Sequence, residues 1–496
     1  MNNEDSAFLP LSDLTANAWI SAGAACGPVV KSYASWVRRT RKRYGDLSAT
    51  AAPCDEENVH DWRDPRVGWG VVLPWRDDCT PEQLRVGADA PEPLRELIRE
   101  RQGVVLRYKD ASTERFNKLW KHTGKSWLLD STTRPELGGV PKYLLIYGSP
   151  AQIPWRLQYL LQARPDTYVG RLDLEEEGLG HYIDALRSDW KDAGVRVERS
   201  LIWAVNHGGS DITTLMHEVL AEPLRATYCA DKDLRPGLAF LDGANATCSR
   251  LIAALRKYRP GVIVTTSHGQ TGPLEHIEQM RATLGLPVDC MYVPLDPAAL
   301  MASWEPDGAV WYAHACCSVG SDRRSMFSGL FGPGSEMAAL LDGIAKVGAI
   351  TASLPKALLG AHRPLRAFIG HVEPTFDWTL RQPGSRDSRV DGIAHYMLYE
   401  RLFYSPKYLT ERRHPKTIGR AMQAWLRELG VLNTAHDLAR LEEVLTPEAS
   451  ERQNLKCLYY QLAARDVEST VLLGDPTVSL PPLTSVCVHD SKVGQP

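Results

Sequence analysis

The sequence predicts an α/β fold built on a mostly parallel sheet, and two observations support this. Short apolar segments rich in β-branched residues recur along the chain, and segments with helical periodicity separate them. Strands that are apolar on both faces are typical of parallel sheets covered by helices and joined by right-handed crossovers. The 496 residues are enough for roughly two to four structural units.

The first series of elements predicts a smaller α/β subdomain over residues 61–175. Its strands are VGWGVVLPW (67–75), VVLRY (104–108) and the start of KYLLIYGSPAQIPW (142–155), with the helix APEPLRELIRERQG before the second strand. Residues 1–60 are predicted to be a separate segment. It holds a helix in DLTANAWISAGAACGPVVKSYASWVRR (13–39) and the basic cluster RRTRKR (38–43).

The second series predicts a larger subdomain over residues 176–496. Its predicted strands are RSLIWAVNH (199–207), GLAFLDG (237–243), GVIVTTSHG (261–269), GAVWYAHACC (308–317) and AITASLP (349–355), with amphipathic helices between most of them. From about residue 360 the sequence is rich in helical segments and ends with STVLLGDPTVSL. We therefore expect a sheet covered by helices, followed by a helix-rich C-terminal part.

Composition argues against several classes of function. The 57 basic and 60 acidic residues nearly cancel, so no global charge favours nucleic acid or an acidic membrane. The apolar runs are too short to span a bilayer, and the first residues lack the order of a signal peptide. Ten cysteines without a repeated CxxC spacing suit free thiols in a reducing compartment. We expect a cytoplasmic protein that binds no metal. The sequence contains no glycine-rich phosphate loop, so it predicts no cofactor.

Two predicted strands end on residues that can carry chemistry. His268 and Gly269 end one strand, and Cys316 and Cys317 end another, 48 residues further on (316 − 268). Catalytic groups in open α/β sheets collect beyond the carboxyl ends of parallel strands. An imidazole near a thiol lowers the pKa of the thiol and can protonate a leaving amine. Either residue alone is more often a packed core residue, but the matching endings favour a catalytic pair.

The paired endings resemble the catalytic signature of the caspase-like cysteine peptidases. That family includes caspases, gingipains, legumain, separase and bacterial CHAT-type proteases, and the matching stretches here are VIVTTSHG and VWYAHAC. TYVGRL, FIGHVEPTFDW and LLGDPTVSL are similar to segments of bacterial members, so the resemblance covers roughly residues 65–482. It implies a caspase-like sheet sandwiched by helices, preceded by a smaller gingipain-type α/β subdomain.

The resemblance implies a role for each matching residue. His268 would be the general base and acid, and Cys316 the nucleophile. The main-chain N–H groups of Gly269 and Cys316 would form the oxyanion hole, where a glycine lets the substrate carbonyl approach. No third member of a triad and no cofactor are expected in this family.

Three neighbouring residues leave alternatives open. Cys317 competes with Cys316, but the Ala315-Cys316 match favours Cys316. His207 is also followed by glycine at the end of an apolar run, and it ranks below His268. His314 lies two residues before Cys316, so it either lines the substrate pocket or is a core histidine.

The substrates are predicted to be proteins or peptides cut after Arg or Lys. In caspase-like enzymes the loop after the first catalytic strand helps to select the residue before the cut, and here that loop contains Asp211. Its carboxylate would pair with a basic side chain, although Ser210-Asp211 also makes a good helix N-cap. Asp242 and Asp322 are lesser candidates for the same role.

Regulation and rival functions also follow from the pattern. The basic segments at 38–43, 321–329 and 381–392 are candidate sites of autocleavage or of cleavage by an upstream activating protease. The resemblance implies a latent enzyme acting in a bacterial antiviral defence or cell-death pathway. The alternatives are a catalytically silent scaffold or interaction protein, and a different thiol enzyme such as an acyltransferase.

Overall fold

The computed structural model of the chain describes residues 18–21, 24–25, 61–109, 118–128, 140–164, 166–380, 392–403, 416–445 and 450–483. The basic segments at 38–43 and 381–391 lie outside these residues, as does most of the helix predicted over 13–39.

The described residues form eighteen strands and fourteen α-helices. The strands are β1 (Ala18–Ser21), β2 (Ala24–Ala25), β3 (Trp69–Pro74), β4 (Val104–Tyr108), β5 (Lys118–Trp120), β6 (Ser126–Leu128), β7 (Tyr143–Tyr147), β8 (Tyr168–Leu172), β9 (Arg196–Ala204), β10 (Leu238–Asp242), β11 (Pro260–Thr266), β12 (His268–Gln270), β13 (Pro287–Val288), β14 (Val310–His314), β15 (Gly320–Ser321), β16 (Ile350–Thr351), β17 (Ala367–His371) and β18 (Thr470–Leu473).

The helices cover the chain between these strands. They are α1 (Pro81–Val86), α2 (Glu92–Glu100), α3 (Trp155–Gln162), α4 (Glu176–Arg187), α5 (Ile212–Met216), α6 (Glu222–Ala230), α7 (Cys248–Tyr258), α8 (Ile277–Thr283), α9 (Pro297–Ser303), α10 (Glu336–Ala345), α11 (Ser353–Leu359), α12 (Asp377–Leu380), α13 (Ile418–Leu445) and α14 (Ser450–Ser469). Two π-helical segments, His217–Ala221 and Gly392–Arg401, and two short 3-10 helices, Arg235–Gly237 and Gly243–Asn245, complete the helical structure of the described residues. None of the described helices combines the length and the apolar character needed to cross a membrane.

A twelve-stranded sheet organises the fold. Its strand order is β10-β9-β11-β14-β17-β18-β8-β7-β3-β4-β5-β6. Neighbouring strands run parallel except where β17 meets β18, β4 meets β5 and β5 meets β6. The predicted α/β class with a mostly parallel sheet is therefore confirmed.

The two predicted series of strands meet in this one sheet. β18, from the end of the described chain, lies between them: it pairs antiparallel with β17 through Phe368 and Leu473, and parallel with β8 through Arg171. Central strands such as β11 are buried along their whole length, because helices cover both faces of the sheet.

Two local predictions are wrong. Ala18–Ser21 is a strand, although it falls inside the helix predicted over 13–39. In the segment AITASLP only Ile350–Thr351 is extended, and it pairs with Gly320–Ser321 outside the large sheet. Helix α11 begins at Ser353 because the apolar residues that follow are buried at helical spacing, and β17 takes the place of the predicted strand beside β14.

A second, small sheet lies just beyond the end of β11. Its order is β13-β12-β1-β2, and β12 begins at His268, two residues after β11 ends. β12 pairs antiparallel with β13 and parallel with β1. The residue pair His268-Gly269 is thus part of a short strand with a neighbour on each side.

Candidate active site

The register of the large sheet brings His268 close to Cys316. β11 and β14 are parallel neighbours in which Thr266 is paired with His314, and the N–H of Ser267 donates to the His314 carbonyl over 3.3 Å. His268 lies two residues after Thr266, and Cys316 lies two residues after His314. Both therefore lie just beyond the carboxyl ends of adjacent strands.

Gly269 and Cys316 have their main chains in direct contact. A β-carbon at position 269 would lie 2.0 Å from the carbonyl oxygen of Cys316 and 2.9 Å from its nitrogen. Any side chain at position 269 would therefore clash with Cys316, so this close approach requires glycine. The two predicted oxyanion-hole residues are adjacent.

The Cys316 sulfur is buried and hydrogen-bonded. It accepts a hydrogen bond from the N–H of Thr375 over 3.2 Å, and the Thr375 carbonyl lies 3.8 Å from the same sulfur. Thr375 follows β17, the next strand in the sheet. The N–H directed at the sulfur stabilises a thiolate, the form that acts as a nucleophile, whereas the carbonyl can accept a hydrogen bond from the thiol. Cys316 is 0 % exposed, so a substrate can reach it only if something moves.

Asp211 contacts the imidazole of His268. Its Oδ2 lies 2.9 Å from His268 Nε2, while Oδ1 accepts from the N–H and the hydroxyl of Thr213 over 2.8 and 2.5 Å. Burial alone would raise the pKa of Asp211, but the hydrogen bond and charge of His268, together with Thr213, lower it to about 2. An ionised carboxylate therefore orients the imidazole, although the resemblance implies no third member of a triad.

His207 follows β9, the strand on the other side of β11 from β14. Its ring stacks on Tyr292 at a centroid distance of 4.0 Å, and the His268 ring is 5.5 Å away. Burial lowers the pKa of His207 to about 4, so it is neutral at pH 7. Its N–H donates to the Thr213 hydroxyl over 3.0 Å, which links His207 to the residue that holds Asp211. His207 thus packs beside the imidazole of His268 and is linked through Thr213 to Asp211.

Cys317 has a different environment from Cys316. It has a φ of +55°, which is rare for a residue other than glycine, and its N–H donates to the Glu373 carbonyl over 3.2 Å. Burial, with the neighbouring Cys316 and Glu373, raises the pKa of the Cys317 thiol well above its usual range. A thiol that stays protonated is a poor nucleophile, so this geometry favours Cys316.

His314 is enclosed by core residues. It is 1 % exposed, its Nδ1 is hydrogen-bonded to the Tyr312 hydroxyl at 2.9 Å, and its ring packs edge-on against His371 at 4.8 Å. Burial lowers the pKa of His314 to about 4. Of the two alternatives left open by the sequence, these contacts favour the core histidine over the pocket residue.

The lesser candidates Asp242 and Asp322 make other contacts. Asp242 lies 3.4 Å from Nε2 of His217, and Asp322 accepts from the N–H of Arg323 over 2.7 Å. Burial raises the pKa of Asp322. Within the described part of the chain, no ion pair or hydrogen bond joins either aspartate to His268 or Cys316.

One group of side chains in the described residues has the donor atoms of a metal site. His217, Glu222 and Asp242 place one donor atom each within 4.8 Å of the others. The other oxygen of Glu222 already accepts from Arg225 over 2.8 Å, which places a positive charge beside the group. His217 begins the π-helical segment after α5, Glu222 begins α6 and Asp242 ends β10, and the cluster is not joined to His268 in the described contacts.

The sequence analysis missed two residues of the site. Thr375 lies within FIGHVEPTFDW, a segment that carried the resemblance, but nothing in its composition indicates an N–H directed at a distant sulfur. Thr213 follows a predicted N-cap, so its bond to Asp211 could have been predicted from helix-capping chemistry.

A scan against models of known protein families gives no match for this chain, and a search of curated proteins gives none above the significance threshold. The function is therefore inferred from the residues at the ends of β11 and β14.

Proposed function

We propose that this protein is a cysteine endopeptidase with a caspase-like catalytic arrangement, in which Cys316 is the nucleophile and His268 the general base and acid. The observation that carries the proposal is the contact between Gly269 and Cys316 at the ends of two paired parallel strands, with Asp211 bonded to His268. Nucleophile, base and main-chain donors meet there within one small region.

The proposed reaction has two halves. His268 accepts the thiol proton of Cys316, and the thiolate attacks the carbonyl carbon of the peptide bond. The N–H groups of Gly269 and Cys316 bind the oxyanion that forms. The C–N bond then breaks as His268 returns the proton to the amine, and a water activated by His268 hydrolyses the thioester and restores the thiol.

Asp211 would act through His268 in this scheme. Because the carboxylate contacts Nε2, proton exchange with Cys316 would take place at Nδ1. A buried, ionised aspartate fixes the ring and stabilises the imidazolium that forms during attack. In this role Asp211 is a positioning residue.

The predicted preference for Arg or Lys needs an acidic group that can pair with the substrate. Both oxygens of Asp211 already accept hydrogen bonds, one from His268 and one from Thr213. Cleavage and preference are therefore separate parts of the proposal. Latency, an upstream activating protease and a place in bacterial defence remain predictions that follow from the resemblance.

A catalytically silent scaffold is the second candidate, and one observation favours it. Cys316 and His268 are 0 % and 1 % exposed, so neither side chain is open to a substrate as the chain stands. A silent protein would keep these residues only for packing, and it would cut no peptide under any condition.

Cleavage of a proteome-derived peptide library tests the proposal. We expect the wild-type chain to cut, Cys316→Ala to abolish cutting, and His268→Ala to lower it about 100-fold or more. Cys317→Ala is the matched control because it removes a neighbouring buried thiol, and cutting should persist. Full activity of Cys316→Ala, or loss of activity in Cys317→Ala alone, would contradict the assignment. The residues found before the cuts report the preference.

A further inference from the structure

We propose that the second edge of β12 is a slot for an extended peptide, and that Ala18–Ser21 of the same chain fills it and keeps the site covered. The consequence that β1 blocks catalysis rests on the proposed function, whereas the pairing of β1 with β12 is independent of it.

β1 lies directly beside the predicted catalytic residues. It runs parallel to β12, with Ala18 paired with Gly269 and Trp19 with Gln270. An extended segment that adds to the edge of a sheet is a common way of binding a peptide, because main-chain hydrogen bonds supply affinity. The slot beside β12 already holds such a segment.

The alternation of main-chain groups shows which groups β1 covers. The N–H of Gln270 donates to Leu286 over 2.9 Å, and its carbonyl accepts from Gly285 over 2.8 Å, so both groups of Gln270 are directed to the β13 side. Main-chain groups of successive residues in a strand are directed to opposite sides. The N–H of Gly269 is therefore directed towards β1. That N–H is one of the two donors proposed for the oxyanion hole.

The site that β1 covers is bordered on its other side by an apolar tip, because β13 lies across β12 from β1. Met291, Tyr292 and Val293 are 69, 42 and 52 % exposed, and they follow β13. Tyr292 stacks on His207, which in turn lies against His268, so the tip borders the catalytic histidine. Exposed apolar side chains grouped beside a site are typical of a surface that binds a partner.

The tip is held in place by one buried carboxylate. Asp289 accepts from the N–H groups of Met291, Val293 and Cys248 over 2.8, 3.0 and 2.9 Å. A tip fixed in this way presents its apolar side chains without loss of backbone freedom on binding. The ligand class is thus an extended peptide with apolar side chains, and the sequence of β1, AWIS, belongs to that class.

The pairing is short enough to be reversible. Among the described residues, two pairs join β1 to β12. A hydrogen bond contributes about 0.5–1.5 kcal/mol net, so each lost bond changes the ratio of covered to uncovered chains by up to about tenfold. A substrate peptide, or removal of β1, would uncover the slot.

The experiment measures how fast iodoacetamide alkylates Cys316 in the folded full-length chain. By the same alternation, Trp19 directs its N–H towards β12 and Ala18 does not. Ala18→Pro/Trp19→Pro removes that N–H, and Ala18→Val/Trp19→Phe keeps it as the matched control. We expect the proline variant to be alkylated about tenfold faster or more, and the control at the wild-type rate. A synthetic peptide of residues 16–25 should slow the proline variant again, whereas a scrambled peptide should not.

Cys317 serves as the internal marker of folding, because it becomes alkylated only when the chain unfolds. Trp19→Pro alone is measured in parallel, and the criterion is applied to the variant that leaves Cys317 unmodified. Alkylation of Cys316 at the wild-type rate in that variant overturns the proposal. If alkylation rises but no peptide is cut, β1 covers the slot and the proposed function fails. If alkylation is unchanged while the wild-type chain cuts peptides, the proposed function stands and the covering role fails.

Discussion

The carboxylate of Asp211 links the start of a helix to the imidazole of His268. One oxygen caps α5 through Thr213, and the other contacts His268. The capping role and a catalytic role, which the sequence leaves as competing interpretations, are therefore compatible. In the proposed function Asp211 is a positioning residue, whereas the sequence analysis predicts that its carboxylate binds a basic side chain of the substrate.

Replacing Asp211 distinguishes these two roles. We expect Asp211→Asn to lower kcat about 100-fold with little change in KM, because the imidazole loses its ionised partner while the substrate contacts remain. The loss should be equal for peptides with Arg and with apolar residues before the cut. Thr213→Val is the milder control, since it removes one hydrogen bond to the same carboxylate. A rise in KM confined to Arg peptides would show that Asp211 is a pocket residue.

The sequence singled out the residues of the candidate site but did not indicate most of their contacts. His268 and Cys316 could be identified because each ends an apolar strand, and strand ends are where parallel sheets place chemistry. The contact of Thr375 with the sulfur could not, because it joins residues 59 positions apart through the packing of a third strand. The sequence analysis predicted that Asp211 binds the substrate, whereas in the structure its carboxylate contacts His268. The sequence of a loop does not reveal where the side chains of its residues are directed.

At the scale of elements, Glu373 makes hydrogen bonds to the segment that follows Cys316. Its carboxylate accepts from the Ser325 hydroxyl over 2.8 Å and from the N–H of Met326 over 3.1 Å, and its main-chain carbonyl accepts from Cys317. Burial raises the pKa of Glu373 to about 7. A carboxyl group that ionises near neutrality within the core makes this segment sensitive to pH.

Glu373→Gln should therefore be stabilised relative to the wild-type chain as the pH rises. The carboxyl group of Glu373 ionises near pH 4.3 in the unfolded chain and near pH 7 in the folded chain. Between these pH values the folded wild type holds a proton that the unfolded chain has released, so its free energy of unfolding falls as the pH rises across that window. The two chains should be similar at pH 4.5, and the variant should gain on the order of 3 kcal/mol by pH 8.

Denaturant unfolding at a series of pH values measures this difference for Glu373→Gln. Contributions from buried histidines cancel, because both chains contain them. The exposed Glu305→Gln should show no pH-dependent gain. A constant offset for Glu373→Gln at every pH would show that the carboxyl group does not titrate in this range.

Elements with apolar residues on both faces were predictable, whereas short strands were not. β11 and β14 can be recognised in the sequence because a strand that is buried on both faces needs a continuous apolar run. β1 has four residues, and its partner β12 lies about 250 residues further along the chain, so local periodicity could not distinguish it from a helix. The same limit explains why the strand predicted over residues 349–355 was too long, since β16 contains Ile350–Thr351 alone.

At the scale of the whole molecule, β18 joins the two series of strands into one sheet. Gly170 of β8 is in close contact with Gly474, which follows β18: a β-carbon at position 170 would lie 2.0 Å from the Gly474 carbonyl oxygen. This contact requires glycine, and it lies at the seam between the two series. The continuity of the sheet makes the stability of each half depend on the other.

Gly170→Ala should consequently destabilise the whole protein by about 1–3 kcal/mol, because the added methyl group collides with main chain that cannot move away cheaply. Gly180→Ala in α4 is the matched control, since its β-carbon would approach only Pro93 at 4.0 Å. Hydrogen exchange should rise in both β7 and β17 in the Gly170 variant. A rise confined to β7 would show that the two series unfold independently.

The central claim is that Cys316, activated by His268, attacks a peptide carbonyl. Intact-mass and peptide mapping of the chain after treatment with a peptidyl electrophile test it most directly, in the wild type and in Ala18→Pro/Trp19→Pro. We predict a single adduct on Cys316, no adduct on Cys317, and loss of the adduct in His268→Ala. An adduct on Cys317, or labelling of Cys316 that does not depend on His268, would contradict the claim.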